Sequence, residues 1–106
     1  MTNNTTGLKQ ENLDFIKESI LKELVHKKMI AVSIFGSRAK NTYRQYSDLD
    51  LWIESTPPLS ISEKSKLAEL YEESNLPIKI DIVTPEQCLP VYLDQINSEK
   101  KLWFER

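Results

Sequence analysis

Only two of the 106 residues are glycine, Gly7 and Gly36, and only one is cysteine, Cys88. A lone cysteine excludes an internal disulfide. With a single histidine, His26, it also leaves no zinc-type ligand set, so any metal must be held by oxygen. No Gly-x-x-x-x-Gly-Lys run is present, which excludes a phosphate loop of the Walker type. Long hydrophobic runs are missing as well. The first ten residues are polar, with no basic segment leading into an apolar one, so the sequence predicts neither a secretory signal nor a membrane span. Positive charge is not in excess: the net formal charge of −2 argues against a broad basic face that would bind extended nucleic acid by releasing counterions. The chain is too short for two domains. The expectation is one cytoplasmic domain over residues 11–106 behind a disordered tail, residues 1–10.

What is present is strongly patterned. Leu13, Ile16, Ile20 and Leu24 recur at steps of three and four among charged residues, the stripe of an amphipathic helix from about Glu11 to His26. Met29 to Phe35 is short, apolar and rich in β-branched residues, and Gly36 follows at once: a buried strand ending in a tight turn, with a short helix from Ser37 to Lys40. In Asp48-Leu49-Asp50-Leu51-Trp52-Ile53 polar and apolar residues alternate, so a strand there turns Leu49, Leu51 and Ile53 to one face and both aspartates to the other. Thr56-Pro57-Pro58 stops it, and Ile61, Leu67, Leu70 and Tyr71 mark a helix over about residues 60–74. Ile78 to Val83 repeats the alternation and puts Lys79 and Asp81 on the face away from its isoleucines. Thr84-Pro85-Glu86-Gln87 reads as a capped helix start, interrupted or restarted by Pro90, and Leu102-Trp103-Phe104 either as a closing edge strand or as a patch that docks on a partner. The fold expected is α/β (α+β): a small mixed sheet with helices mainly on one face and the aspartates on the other.

Two carboxylates one residue apart on a strand stand about 6.5 to 7 Å apart at Cα, close enough for their oxygens to converge on one cation or bridge two. Mg²⁺ suits such a site, because it takes hard oxygen ligands and is commonly held by one or two carboxylates together with substrate phosphates. Asp48 and Asp50 supply that pair, and Asp81 supplies a third if the two strands are neighbours, enough for two ions. Gly36-Ser37-Arg38 lies where a strand ends, a place suited to an anion because N–H groups are free and a small residue lets a phosphate approach. Gly36 is the one glycine outside the expected tail.

Gly36-Ser37, ten residues, then Asp48-Leu49-Asp50 resembles the Gly-Ser-x10-Asp-x-Asp signature of the DNA polymerase β-like nucleotidyltransferases. The text GSRAKNTYRQYSDLDLWI is similar to the minimal nucleotidyltransferase (MNT) branch, and the likeness runs from the first helix to the end of the chain. The resemblance implies a polymerase β-like nucleotidyltransferase core, with ATP as AMP donor, Mg²⁺ (or Mn²⁺) as cofactor, Gly36 and Ser37 on the triphosphate, and Asp48, Asp50 and Asp81 as metal-holding catalytic residues; Arg38, beside Gly36 and Ser37, reads from its charge as a further nucleotide-binding residue that steers the phosphates. It also implies a hetero-oligomer with an all-helical HEPN toxin, which some members of the branch silence by adenylylating a tyrosine. Rival uses are an antitoxin that acts by binding alone and an enzyme that nucleotidylates a small molecule. One departure is Asn41, where many relatives have glycine; asparagine tolerates a left-handed backbone better than most residues. Lys40 and Arg44 read first as solvated charges, Lys79 equally as a partner of Asp81 or a phosphate and as a surface salt bridge, Trp52 as packing, His26 as a surface group and Cys88 as a small helix residue facing the core.

Overall fold

The structure, a computed structural model, describes residues 6–106. Along the chain run α1 (Gln10–Glu23), β1 (Met29–Phe35), β2 (Leu49–Thr56), α2 (Ile61–Glu72), β3 (Ile80–Val83), one 3₁₀ turn (Pro85–Gln87), α3 (Pro90–Glu99) and β4 (Lys101–Glu105). The strands form one sheet in the order β3-β2-β1-β4. β1 is antiparallel to β2 and β4, and β3 is parallel to β2, so the sheet is mixed as expected. β3 is parallel to β2 because α2 lies between them in sequence and carries the chain back to the starting end.

One face of the sheet is the core. Ile30, Val32 and Ile34 of β1, Leu49, Leu51 and Ile53 of β2, and Ile80 and Ile82 of β3 are all buried there, which is the period-2 pattern of the sequence made physical. Leu13, Ile16 and Ile20 of α1, with Leu24 just beyond it, and Leu67 and Tyr71 of α2 cover them. Each such side chain contributes about 1.5 to 3 kcal/mol on full burial. The Tyr71 hydroxyl donates to the Ile16 carbonyl at 3.0 Å and ties the two helices together. α2 begins in a capping box: the Glu63 N–H donates to Ser60 Oγ at 3.0 Å and the Ser60 N–H to Glu63 Oε1 at 2.9 Å. Glu63 also receives the buried Lys27 ammonium at 2.8 Å. Burial acts to raise the Glu63 pKa, but bonds from Lys27 and from the Ser60 amide and hydroxyl outweigh it and hold the carboxyl at about 2.

Several expectations change. Residues 1–5 of the expected tail lie outside the described residues, but from Thr6 onward the chain is docked: Thr6 and Leu8 are buried, Leu8 in the core, and the Thr6 carbonyl accepts from Arg38. An apolar residue at position 8 and a buried guanidinium needing acceptors hold this segment down. Ser37 to Lys40 forms consecutive turns closed on the Gly36 carbonyl, by Ala39 N–H at 3.1 Å and Lys40 N–H at 3.2 Å, with no regular helix. Thr84 does not cap with its side chain, and the segment after it makes one 3₁₀ turn before Pro90 starts α3. Cys88 stands between the two, partly exposed, rather than facing the core. β4 is the expected edge strand, with a bulge opposite Val32/Ser33. Among the described residues no helix is long and apolar enough to cross a membrane.

Candidate active site

The register of the sheet builds the site. β1 ends at Phe35, which lies opposite Asp50 of β2, so Gly36 leaves the sheet directly beside that carboxylate. Gly36 has φ +75°, in the left-handed region, and a Cβ there would run into Asp50 Oδ2 and come within 3.2 Å of its Cγ. Glycine is required on both counts. Across the parallel ladder Asp50 faces Asp81 of β3. Asp48 comes from the connecting loop, one residue before β2, and is exposed rather than strand-bound. The three therefore arrive from two neighbouring strands and one loop end.

Their crowding has an electrostatic signature. Burial first, then the charge of Asp81, then that of Asp48, push the Asp50 carboxyl from 3.8 up to about 6. A half-buried carboxyl pushed up by burial and by two anionic neighbours fits a cation. Yet among the described residues no group of three His, Cys, Asp or Glu side chains forms a ready-made metal site. The donor set thus suits a hard cation that arrives with part of its shell supplied by phosphate oxygens.

Gly36, Ser37 and Asn41 shape the turn beneath this cluster. The Ser37 carbonyl accepts from the Thr42 N–H at 3.0 Å, and its partly exposed hydroxyl makes no hydrogen bond among the described residues. Asn41 has φ 59°, the left-handed conformation that its side chain tolerates. Arg38 departs from the sequence reading. It is 2% exposed, and its guanidinium donates to the carbonyls of Thr6, Gln45 and Ser47 at 2.6, 3.2 and 3.0 Å and more weakly to Arg44, with Tyr43 stacked 4.7 Å away. Its donors are engaged by loop carbonyls, so Arg38 braces the turn that follows Gly36.

Beside the aspartates opens a cleft of about 540 Å³, whose walls include Gly36, Lys40, Asp81, Leu89, Tyr92 and Ile96. Asp81 lines it; Asp48 and Asp50 do not. Lys40 closes one side by pairing with Glu99 of α3 at 2.8 Å. Trp52, on the aspartate face, is 1% exposed and sits edge-on to Phe35 with the Lys100 ammonium 5.7 Å above its ring, the packing role expected of it. The α3 wall was missed in the sequence. Tyr92, Ile96 and Glu99 follow helical spacing and so share a face, but spacing does not say which side of the sheet that face meets.

The chain belongs to the polymerase β nucleotidyltransferase family: the family model described as "Polymerase beta, Nucleotidyltransferase" matches residues 18–106. Within it, the chain is similar to enzymes named for protein modification. It is 41% identical over 76 residues to the "Probable protein adenylyltransferase MntA" of Haemophilus influenzae, over 72% of this chain and 64% of that protein's length. It is 37% identical over 97 residues to the "Putative protein adenylyltransferase MJ0126" of Methanocaldococcus jannaschii, over 88% of this chain and 98% of that protein. Among solved structures the fold matches one described as "Crystal structure of the toxin-antitoxin with AMP-PNP", with TM-score 0.64 and 24% identity over 82% of this chain and 72% of that one. A second, a toxin-antitoxin MntA-HpeT mutant, aligns with TM-score 0.64 and 18% identity over 88% and 71% of the two chains.

Proposed function

We propose that this chain is a protein adenylyltransferase that moves AMP from ATP to a hydroxyl of a partner protein, and that the partner is an all-helical HEPN toxin silenced in the cytoplasm by that modification. The observation that carries the reading is the pairing of Asp50 with Asp81 across β2 and β3, beside a glycine that leaves no room for a side chain. The relatives that share this sequence, at 41% and 37% identity, are named as protein adenylyltransferases.

Each residue has a distinct task. The Gly36 turn and the Ser37 hydroxyl hold the phosphates, close to N–H groups at the end of β1. Asp48 and Asp50, with Asp81, would hold Mg²⁺, or Mn²⁺ in its place, which when bound offsets the negative charge that develops on the phosphates. Asp81 is the carboxylate that faces the cleft, so an acceptor hydroxyl entering there meets it first and gives up its proton toward it. The cleft walls hold the acceptor in line with the α-phosphate, a contribution of position rather than of covalent chemistry.

The test is incubation of the purified chain with ATP, Mg²⁺ and the partner toxin, followed by intact mass of both proteins. One AMP added to the partner, with loss of the toxin's activity, is the expected outcome. Neutralisation without added mass, unchanged in Asp48→Asn, Asp50→Asn and Asp81→Asn, would establish an antitoxin that acts by contact alone.

A further inference from the structure

The protein has four tyrosines, and the structure gives each a different setting. Tyr71 is buried with its hydroxyl bonded to Ile16. Tyr43 stacks on Arg38 beside Gly7. Tyr46 is 75% exposed in the loop that leads to Asp48 and is not part of the cleft wall. Of the four, Tyr92 stands in the wall of the cleft that Gly36 and Asp81 also line, and among the described residues it is the only hydroxyl-bearing side chain there. It is 53% exposed, and its hydroxyl makes no hydrogen bond among the described residues. A phenol oxygen that is neither packed away nor engaged, in the cleft that holds the candidate base, has the chemistry of an acceptor.

We infer that Tyr92 is a self-modification site: the enzyme transfers AMP from ATP to its own Tyr92 hydroxyl when no partner occupies the cleft. This rests on the adenylyltransferase reading above. In the step, the phenol oxygen of Tyr92 forms a bond to the α-phosphorus of ATP while the bond from that phosphorus to the bridging oxygen of pyrophosphate breaks. The phenolic proton passes to Asp81 and then to solvent, and pyrophosphate leaves, so nothing is oxidised or reduced. The product is a tyrosyl phosphodiester whose adenosine lies in the same cleft, at the place a protein acceptor has to enter. Self-modification therefore switches the enzyme off toward its partner. Tyr92 shares the cleft wall with Leu89, Ile96, Phe35 and Val83, so the added group meets apolar side chains that suit a purine.

The experiment uses the full chain alone with ATP and Mg²⁺, with peptide mapping by mass spectrometry and ATP binding measured separately by calorimetry. The expected result is one AMP per chain on the peptide containing Tyr92, lowered at least tenfold in Tyr92→Phe and in Asp81→Asn, and unchanged in Tyr46→Phe. Circular dichroism of Tyr92→Phe should match that of the wild type, since the residue is half exposed. Modification mapped to another residue, or equal in Tyr92→Phe, overturns the inference. So does ATP binding with no self-modification, which leaves the adenylyltransferase reading standing. Failure to bind ATP at all removes both.

Discussion

Replacing Asp50 with asparagine should make the nucleotide-free protein more stable while destroying its activity. Asp50 is pushed up to about 6 from 3.8 by burial and by the charges of Asp81 and Asp48. Its folded-state value thus lies above its unfolded one, so between those pH values the folded state holds a proton that the unfolded state releases. Stability falls as pH rises through that window, and above it the full cost of the ionised carboxylate is felt. At about 1.4 kcal/mol per unit, a shift of roughly two units is about 3 kcal/mol, and partial exposure reduces it to about 1 to 2 kcal/mol. Asp50→Asn removes that cost with no change of shape. For a domain of this size the gain corresponds to roughly 5 to 15 °C in Tm. Thermal unfolding in chelator at pH 7.5 should show the rise, and the same comparison at pH 3.5 should show little of it, because the wild-type carboxyl is then fully protonated in the folded state and mostly so in the unfolded one. An equal difference at both pH values, or a less stable variant at pH 7.5, would refute the electrostatic account of the site.

Asp81→Asn should leave nucleotide binding largely intact and slow AMP transfer by about 10² or more, the scale of a lost acid–base group; calorimetry and single-turnover transfer to the partner separate the two effects. Gly36→Ala should cost about 1 to 2 kcal/mol for the left-handed backbone and, by displacing the Asp50 carboxylate, abolish transfer, so urea unfolding and the transfer assay should both change. Arg38→Lys should destabilise the protein by about 1 to 3 kcal/mol in denaturant unfolding, because an ammonium cannot reach carbonyls in several directions as the planar fork does. A wild-type midpoint for Arg38→Lys would mean that these bonds contribute little.

A short apolar, β-branched run made β1 legible, and period-2 alternation made β2 and β3 and the burial of their leucines and isoleucines legible, because one face of each such strand must meet the core and the other need not. The same rule put Asp50 and Asp81 on one side, and parallel pairing of β2 with β3 brings them face to face. The helical stripe of Leu13, Ile16 and Ile20 was equally plain. Family membership followed from the spacing of Gly36-Ser37 to Asp48 and Asp50 and is borne out by the match over residues 18–106. Other features depended on distant partners. The burial of Arg38 was not legible, because only the fold brings the Thr6, Gln45 and Ser47 carbonyls around it. Leu8 looked like part of a polar tail because a single apolar residue has no period. The cleft was invisible for the same reason, since its walls come from β1, β3 and α3, whose mutual placement no local pattern encodes.

The parallel placement of β3 has a consequence for how the enzyme comes into being. β1 and β2 pair as antiparallel neighbours, so Gly36, Asp48 and Asp50 can be assembled by a contiguous stretch of about the first half of the chain. Asp81 cannot join them until α2 has docked and returned the chain to the same end of the sheet. A nascent or partly unfolded molecule therefore holds two carboxylates at most, and the third, the one that faces the cleft, arrives only with tertiary closure. On the adenylyltransferase reading proposed above, the complete set of three carboxylates therefore exists only in chains that have finished folding.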